Sequence, residues 1–224
     1  MGEKGMTEQL RVLETVTERL KQLPGVHSIV LNGSVAYGAA TAGSDLDLLV
    51  LCEHDAFEAD AVDGVWVEIH FHRCDALLER LSSNPAEIYR YHGARAISDD
   101  GTYARLAEAV RQAEQAYRPA ADALEKLRYW LFSTQKKLSA AISAKDDLRM
   151  AYLLSTNTWK VLEGLYAING RPVPPSSLAY HLHSTLRVPC EGWFEGLLLG
   201  DVSTRAEMML RLITCICDGT DQPQ

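Results

Sequence analysis

One stretch of the chain alternates strictly, and most of the rest repeats at helical spacing. In Val65-Trp-Val-Glu-Ile-His-Phe-His72 the residues Val65, Val67, Ile69 and Phe71 fall on one side, and Trp66, Glu68, His70 and His72 on the other. That period of two predicts a half-buried strand. Ile29-Val-Leu31 is a continuous apolar run, the pattern of a buried strand, and Asp45–Leu51 reads as a second strand. Residues 6–23 place Leu10, Leu13, Val16 and Leu20 at helical intervals and stop at Pro24-Gly25, which predicts an amphipathic helix. The acidic segment 53–60 reads as a loop, and Asp63-Gly64 as a tight turn into the Glu68 strand. Helices are expected at 75–82, 86–91 and 103–116, with a strand at 94–98 and a turn at Asp99-Asp100-Gly101. The sum is an α/β (α+β) layer of about four strands in a mixed sheet, with helices on its faces.

Strand signals vanish after Arg118-Pro119, which is the expected boundary between a domain of residues 1–118 and one of residues 119–224. The second part shows two long helical patterns, 120–143 and 146–168. The second of these stops at Asn169-Gly170 and the proline-rich segment behind it. Shorter helices at 176–185, 190–199 and 203–217 complete an all-α helical bundle. The tail from Asp218 is expected to fray.

The first chemistry lies between the Ile29–Leu31 and Asp45–Leu51 strands. Gly33-Ser34 follows Ile29-Val-Leu-Asn32 directly, and after ten residues comes Asp45-Leu-Asp47. Glycine lets a ligand approach the backbone closely, and Ser34 adds a hydroxyl and an N–H at the start of a helical turn, where anions bind. Side chains alternate along a strand, so Asp45 and Asp47 share one face. If the Glu68 strand lies beside them, three carboxylates converge, and such a group repels itself unless a cation neutralises it. Magnesium takes hard oxygen ligands of this kind together with substrate phosphates. His70 and His72 share the Glu68 face, where they are either structural or in reach of an acceptor.

An apolar strand, Gly33-Ser34, a ten-residue spacer, Asp45-Leu-Asp47 and a later Glu68 resemble the nucleotidyltransferase superfamily of DNA polymerase β type. Tyr37 departs from the pattern, since many members carry arginine there. The segment Asn157-Thr-Trp-Lys160-Val-Leu-Glu163-Gly-Leu-Tyr166-Ala-Ile-Asn169-Gly resembles the helical C-terminal domain of kanamycin-type aminoglycoside nucleotidyltransferases. The resemblance implies a nucleotidyltransferase catalytic domain followed by a helical domain. It implies transfer of a nucleoside monophosphate, AMP first among them, from a nucleoside triphosphate to a hydroxyl of a small acceptor, with release of pyrophosphate. Asp45, Asp47 and Glu68 would be the catalytic residues and the ligands of two Mg²⁺ ions. Gly33 and Ser34 would hold the β/γ-phosphates, with Lys160 and Asn157 as further nucleotide contacts. Glu68 would complete the metal shell or take the acceptor's proton; Glu163 is a poorer match for the base. Trp159 and Tyr166 read as core or interface residues. Two other readings stay open: an antitoxin-like enzyme that adenylylates protein or RNA, and a nucleotide-binding relative without turnover.

Charge narrows the partners. Residues 1–118 carry 19 acidic and 11 basic side chains, and residues 119–224 carry eleven of each. An acidic catalytic half lacks the basic track that a nucleic acid needs and suits a small cationic acceptor; the resemblance implies an aminoglycoside-type antibiotic. No apolar run is long enough to cross a membrane. The start of the chain has neither a signal-peptide core nor a myristoylation pattern. The five cysteines, at 52, 74, 190, 215 and 217, are odd in number and read as reduced thiols of a cytoplasmic protein. A monomer or a homodimer is expected.

Overall fold

The computed structural model describes residues 2–218, with side chains from residue 8 onward; the fraying expected beyond Asp218 and the leader reading of the first residues lie outside the described side chains. The chain divides into two compact units, Met1–Ala116 and Tyr117–Gln224.

In the first unit, helix α1 (Gly2–Lys21) packs on one face of a five-stranded sheet. The strands are β1 (Ser28–Asn32), β2 (Leu46–Leu51), β3 (Ala56–Val62), β4 (Val65–His72) and β5 (Arg95–Asp99), in the order β3-β4-β2-β1-β5. β2 and β4 run parallel, and the other neighbouring pairs are antiparallel, so the sheet is mixed. The strand missing from the sequence reading is β3, which occupies most of the segment taken as an acidic loop. Every residue of β3 but Val62 is exposed, because it is an edge strand joined to the sheet on one side only. Its backbone bonds to β4 hold it there, and the hydrophobic pattern carries no trace of them. Asp63 (φ 49°) and Gly64 (φ 84°) form the two-residue turn between β3 and β4, the left-handed geometry that matches strand twist.

Buried side chains on the two sheet faces form separate cores. Ile29, Leu31, Leu48, Val50, Val67 and Ile69 pack with Val12, Val16 and Leu20 of α1. Val30, Leu49 and Leu51 pack with Leu77 of α3 (Cys74–Ser83), with Tyr91, and with Leu106 of α4 (Thr102–Ala116). The buried stripe of α1 is offset from the expected one. Leu10 is 49 % exposed, whereas Val12 and the polar Gln9 are buried. Gln9 is buried for a reason: its amide donates to the carbonyls of Ser44 (2.7 Å) and Thr41 (3.3 Å), which ties down the connector leading into β2.

The second unit is helical throughout its described residues. α5 (Ala121–Ser143) and α6 (Asp147–Ile168) form an antiparallel pair. Lys145 turns the chain between them at φ 52°, and the Asp146 carboxylate caps α6 by accepting from the Arg149 N–H. The shorter α7 (Ser176–Leu182) and α8 (Trp193–Leu199) precede α9 (Val202–Asp218), which packs on α6. Tyr166 is fully buried, as expected, but Trp159 is 38 % exposed and is not a core residue.

Candidate active site

Strand register assembles the site. Asn32 of β1 lies opposite Asp47 of β2, Asp47 lies beside Glu68 of β4, and Glu68 lies opposite Ala59 of β3. One row across four strands thus carries a carboxamide and two carboxylates. Asp45 stands one residue before β2, which begins at Leu46 rather than at Asp45. One oxygen from each of Asp45, Asp47 and Glu68 lies within 4.8 Å of the others.

Repulsion marks this cluster. The Asp47 carboxyl is pushed up to about 6, first by burial and then by the charges of Asp45 and Glu68. A donor set made only of carboxylate oxygens, all three half-buried, suits a hard divalent cation. Its electrostatics give the same result, since a cation offsets both the burial and the neighbouring charges that raise Asp47.

Gly33 closes the other side. It opens the short helix α2 (Gly33–Ala36) at φ 67°. A methyl group placed on it would lie 1.8 Å from Asp47 Oδ2, so glycine is required here both by its backbone angle and by the approach of the carboxylate. The Ser34 hydroxyl and Asn32 Oδ1 are buried without a hydrogen-bond partner. Buried polar groups are nearly always satisfied, and two orphans flanking a carboxylate cluster indicate atoms kept for a ligand. Asn32 escaped the sequence reading, because only the β1–β2 register shows that it faces Asp47. Tyr37 packs with its Cβ against Gly93, and its ring centroid lies 5.7 Å from that of His92. Burial raises its hydroxyl's pKa, with Asp47 and Asp45 adding to the effect.

Along β4, Trp66 Nε1 donates to Glu68 Oε1 at 3.2 Å, and His70 Nε2 stands 3.9 Å from Glu68 Oε2. Burial holds the His70 pKa below its usual range, with the charge of Arg90 as the second cause, so this imidazole is neutral at pH 7. His72 is turned to Asp55, with Nδ1 2.7 Å from the carboxylate, and serves the end of the strand instead of the site.

The two candidates on α6 lie in the second unit. Lys160 Nζ is paired with Glu163 at 2.6 Å, and both line a hollow of about 440 Å³ with Trp130 and Leu127. Asn157 is buried, and its Oδ1 accepts from Trp130 Nε1 (2.9 Å) and Thr134 Oγ1 (3.0 Å) while its Nδ2 donates to the Leu153 carbonyl. Its carboxamide is therefore engaged inside the helical unit. Asn157→Ala is expected to cost about 2 kcal/mol, since it strands a buried hydroxyl and an indole N–H, and to leave nucleotide affinity unchanged. Denaturant unfolding and nucleotide titration check the two halves separately.

Asp47 also sets a pH test. Its folded-state pKa of about 6 lies above the ordinary 3.8, so the folded protein holds this proton more tightly than the unfolded chain does. Its contribution to stability is full below pH 4 and is lost as pH rises through 6. In a scan of melting temperature from pH 5 to 7.5, the difference between Asp47→Asn and wild type is expected to widen with pH. Millimolar Mg²⁺ is expected to close that gap at pH 7.5 and to do little at pH 5.

Residues 13–101 match the model of the nucleotidyltransferase domain family. The chain matches none of the curated proteins. Among solved structures it is similar to a nucleotidyltransferase-like protein from Exiguobacterium sibiricum, at 12% identity and a TM-score of 0.43, over 92% of this chain and 73% of that one. No described helix is long and apolar enough to cross a membrane. The matched segment holds Gly33, Ser34, Asp45, Asp47 and Glu68 on the elements just described, so residues 13–101 are similar to the nucleotidyltransferase domain family in the part of the chain that carries the carboxylate cluster.

Proposed function

We propose that the domain transfers a nucleoside monophosphate, AMP from ATP in the first instance, to a hydroxyl of a small aminoglycoside-type acceptor. The observation that carries this reading is the convergence of Asp45, Asp47 and Glu68 within 4.8 Å beside the glycine at position 33. In the reaction the acceptor oxygen attacks the α-phosphorus, the bond from that phosphorus to the bridging oxygen breaks, and pyrophosphate leaves.

Asp45, Asp47 and Glu68 would hold two Mg²⁺ ions. When bound, these ions supply positive charge at the phosphates and lower the pKa of the acceptor hydroxyl. Gly33 leaves room for a phosphate against the backbone, and the unpartnered Ser34 hydroxyl donates to one of its oxygens. Glu68 carries two neighbours that orient it, Trp66 and His70, and takes the acceptor's proton. The excess of acidic side chains in residues 1–118 favours an acceptor that carries positive charge.

The test is pyrophosphate release by purified protein with Mg²⁺, each nucleoside triphosphate in turn, and a panel of aminoglycosides and lincosamides. Release that needs both ATP and an aminoglycoside is the expected result. No release with any pair would overturn the antibiotic acceptor.

A further inference from the structure

The hairpin of β3 and β4 presents rings that neither core of the first unit uses. Phe57 is 56 % exposed and Trp66 is 49 % exposed, and both are absent from the two clusters of buried side chains. Scattered surface rings need no explanation; these two are not scattered. Trp66 lies opposite Ala61, Glu68 opposite Ala59, and His70 opposite Phe57. Alternation puts all six on one face of the hairpin, the face that carries the carboxylates.

The arrangement has a shape. Ala59 and Ala61 are too small to fill the space beside Glu68 and Trp66, so they form a low floor. Trp66 bounds it at one end. At the other end the Phe57 and His70 rings pack at 4.8 Å between centroids. Four residues of strand separate Trp66 from His70, roughly 13 Å at about 3.3 Å per residue. Glu68 reaches in from the middle, held by the indole of Trp66.

We infer that this hairpin face is the seat of the acceptor, and that it selects a saturated ring bearing both hydroxyl and ammonium groups. The inference rests on the transferase reading and adds the residues that choose the substrate. A saturated ring lays its C–H face on an indole or phenyl ring. Ammonium substituents are drawn to the ring faces. Glu68 then touches the acceptor's hydroxyl from the centre of the seat, so the rings at either end set which hydroxyl is presented. A flat nucleobase also stacks on rings, but Gly33 and Ser34, which take the phosphates, follow β1, on the far side of β2 from the hairpin, which is why the acceptor and not the nucleotide is assigned here.

The test uses the full chain with three probes: kanamycin as a charged ring, maltotriose as an uncharged ring, and spermine as a charge without a ring. The indole N–H resonance of Trp66, assigned from its loss in Trp66→Phe, is followed during each titration, with MgATP affinity measured on the same samples. Kanamycin is expected to shift that resonance and to bind about tenfold more tightly than either other probe. By calorimetry, Phe57→Ala and Trp66→Ala are each expected to weaken kanamycin about tenfold, and Trp66→Phe, which keeps a ring, by much less. MgATP affinity is expected to stay within about twofold in the Phe57 variant, since that ring lies off the carboxylate row. A Trp66 resonance unmoved by kanamycin in a protein that binds MgATP overturns the seat and leaves the metal site standing. A resonance that responds to ATP instead assigns the rings to the nucleobase and also overturns it. Loss of MgATP binding in the wild type removes the transferase reading and the seat together.

Discussion

Asp47→Asn is expected to lower nucleotidyl transfer by about a thousandfold or more, the equivalent of roughly 4 kcal/mol in the barrier, while the metal-free protein melts several degrees higher. The two effects come from one cause. Burial first, and then the charges of Asp45 and Glu68, push the Asp47 pKa up to about 6, so at neutral pH its charge opposes folding. Asparagine has the same shape and no charge, so it avoids both the burial of a charge and the repulsion. It also withdraws one of the three oxygens from the cluster and leaves two carboxylates for the cations. A steady-state assay and a melting curve on the same sample measure both. A variant that lost activity and also lost stability would show that Asp47 is a structural anchor, and the metal-site reading would fail.

Gly33→Ala is the second large effect, and both of its outcomes go downward. The added methyl would sit 1.8 Å from Asp47 Oδ2 and 2.7 Å from its Cγ, so either the carboxylate swings away or α2 shifts. The left-handed φ of 67° adds roughly 1 kcal/mol for a residue with a Cβ. We expect a loss of activity of about a hundredfold or more, and of about 2–4 kcal/mol in stability, in line with overpacking at a constrained site. Asn32→Ala is the control. It lies on the same row but removes an unpartnered oxygen, so it should lower activity without the fall in stability.

Much of this site could be read before any coordinates, because each part has a local signal. Gly33-Ser34 and Asp45-Leu-Asp47 lie at fixed spacing on apolar strands, and the alternation of residues 65–72 shows that Glu68 faces away from Val67 and Ile69. That Asp47 and Glu68 stand side by side is a different kind of fact, since it follows from the parallel register of β2 and β4. Features without a signal along the chain share a cause. β3 reads as a loop because its side chains are exposed, and backbone bonding to one neighbour has no side-chain signature. Helical spacing puts Leu10 on the buried face of α1, where Gln9 lies instead, because a polar residue buried to hold a loop breaks the hydrophobic pattern. Spacing alone puts Asn157 on a helical face with Lys160, and it gives no sign that the Asn157 carboxamide bonds to Trp130 and Thr134 of α5. Partners from another helix cannot be seen along one.

The order of residues by itself determined the class of fold, the acid and glycine chemistry, and the all-helical character of the second half, because periodicity and turn chemistry act within a few residues of their source. Tertiary structure decided the fifth strand, the opposition of Asn32 to Asp47, the contact that makes Gly33 irreplaceable and the ring-bounded floor on the β3–β4 hairpin. These depend on which strand lies beside which. That choice is made by packing between segments far apart in the chain, with no imprint on either segment alone.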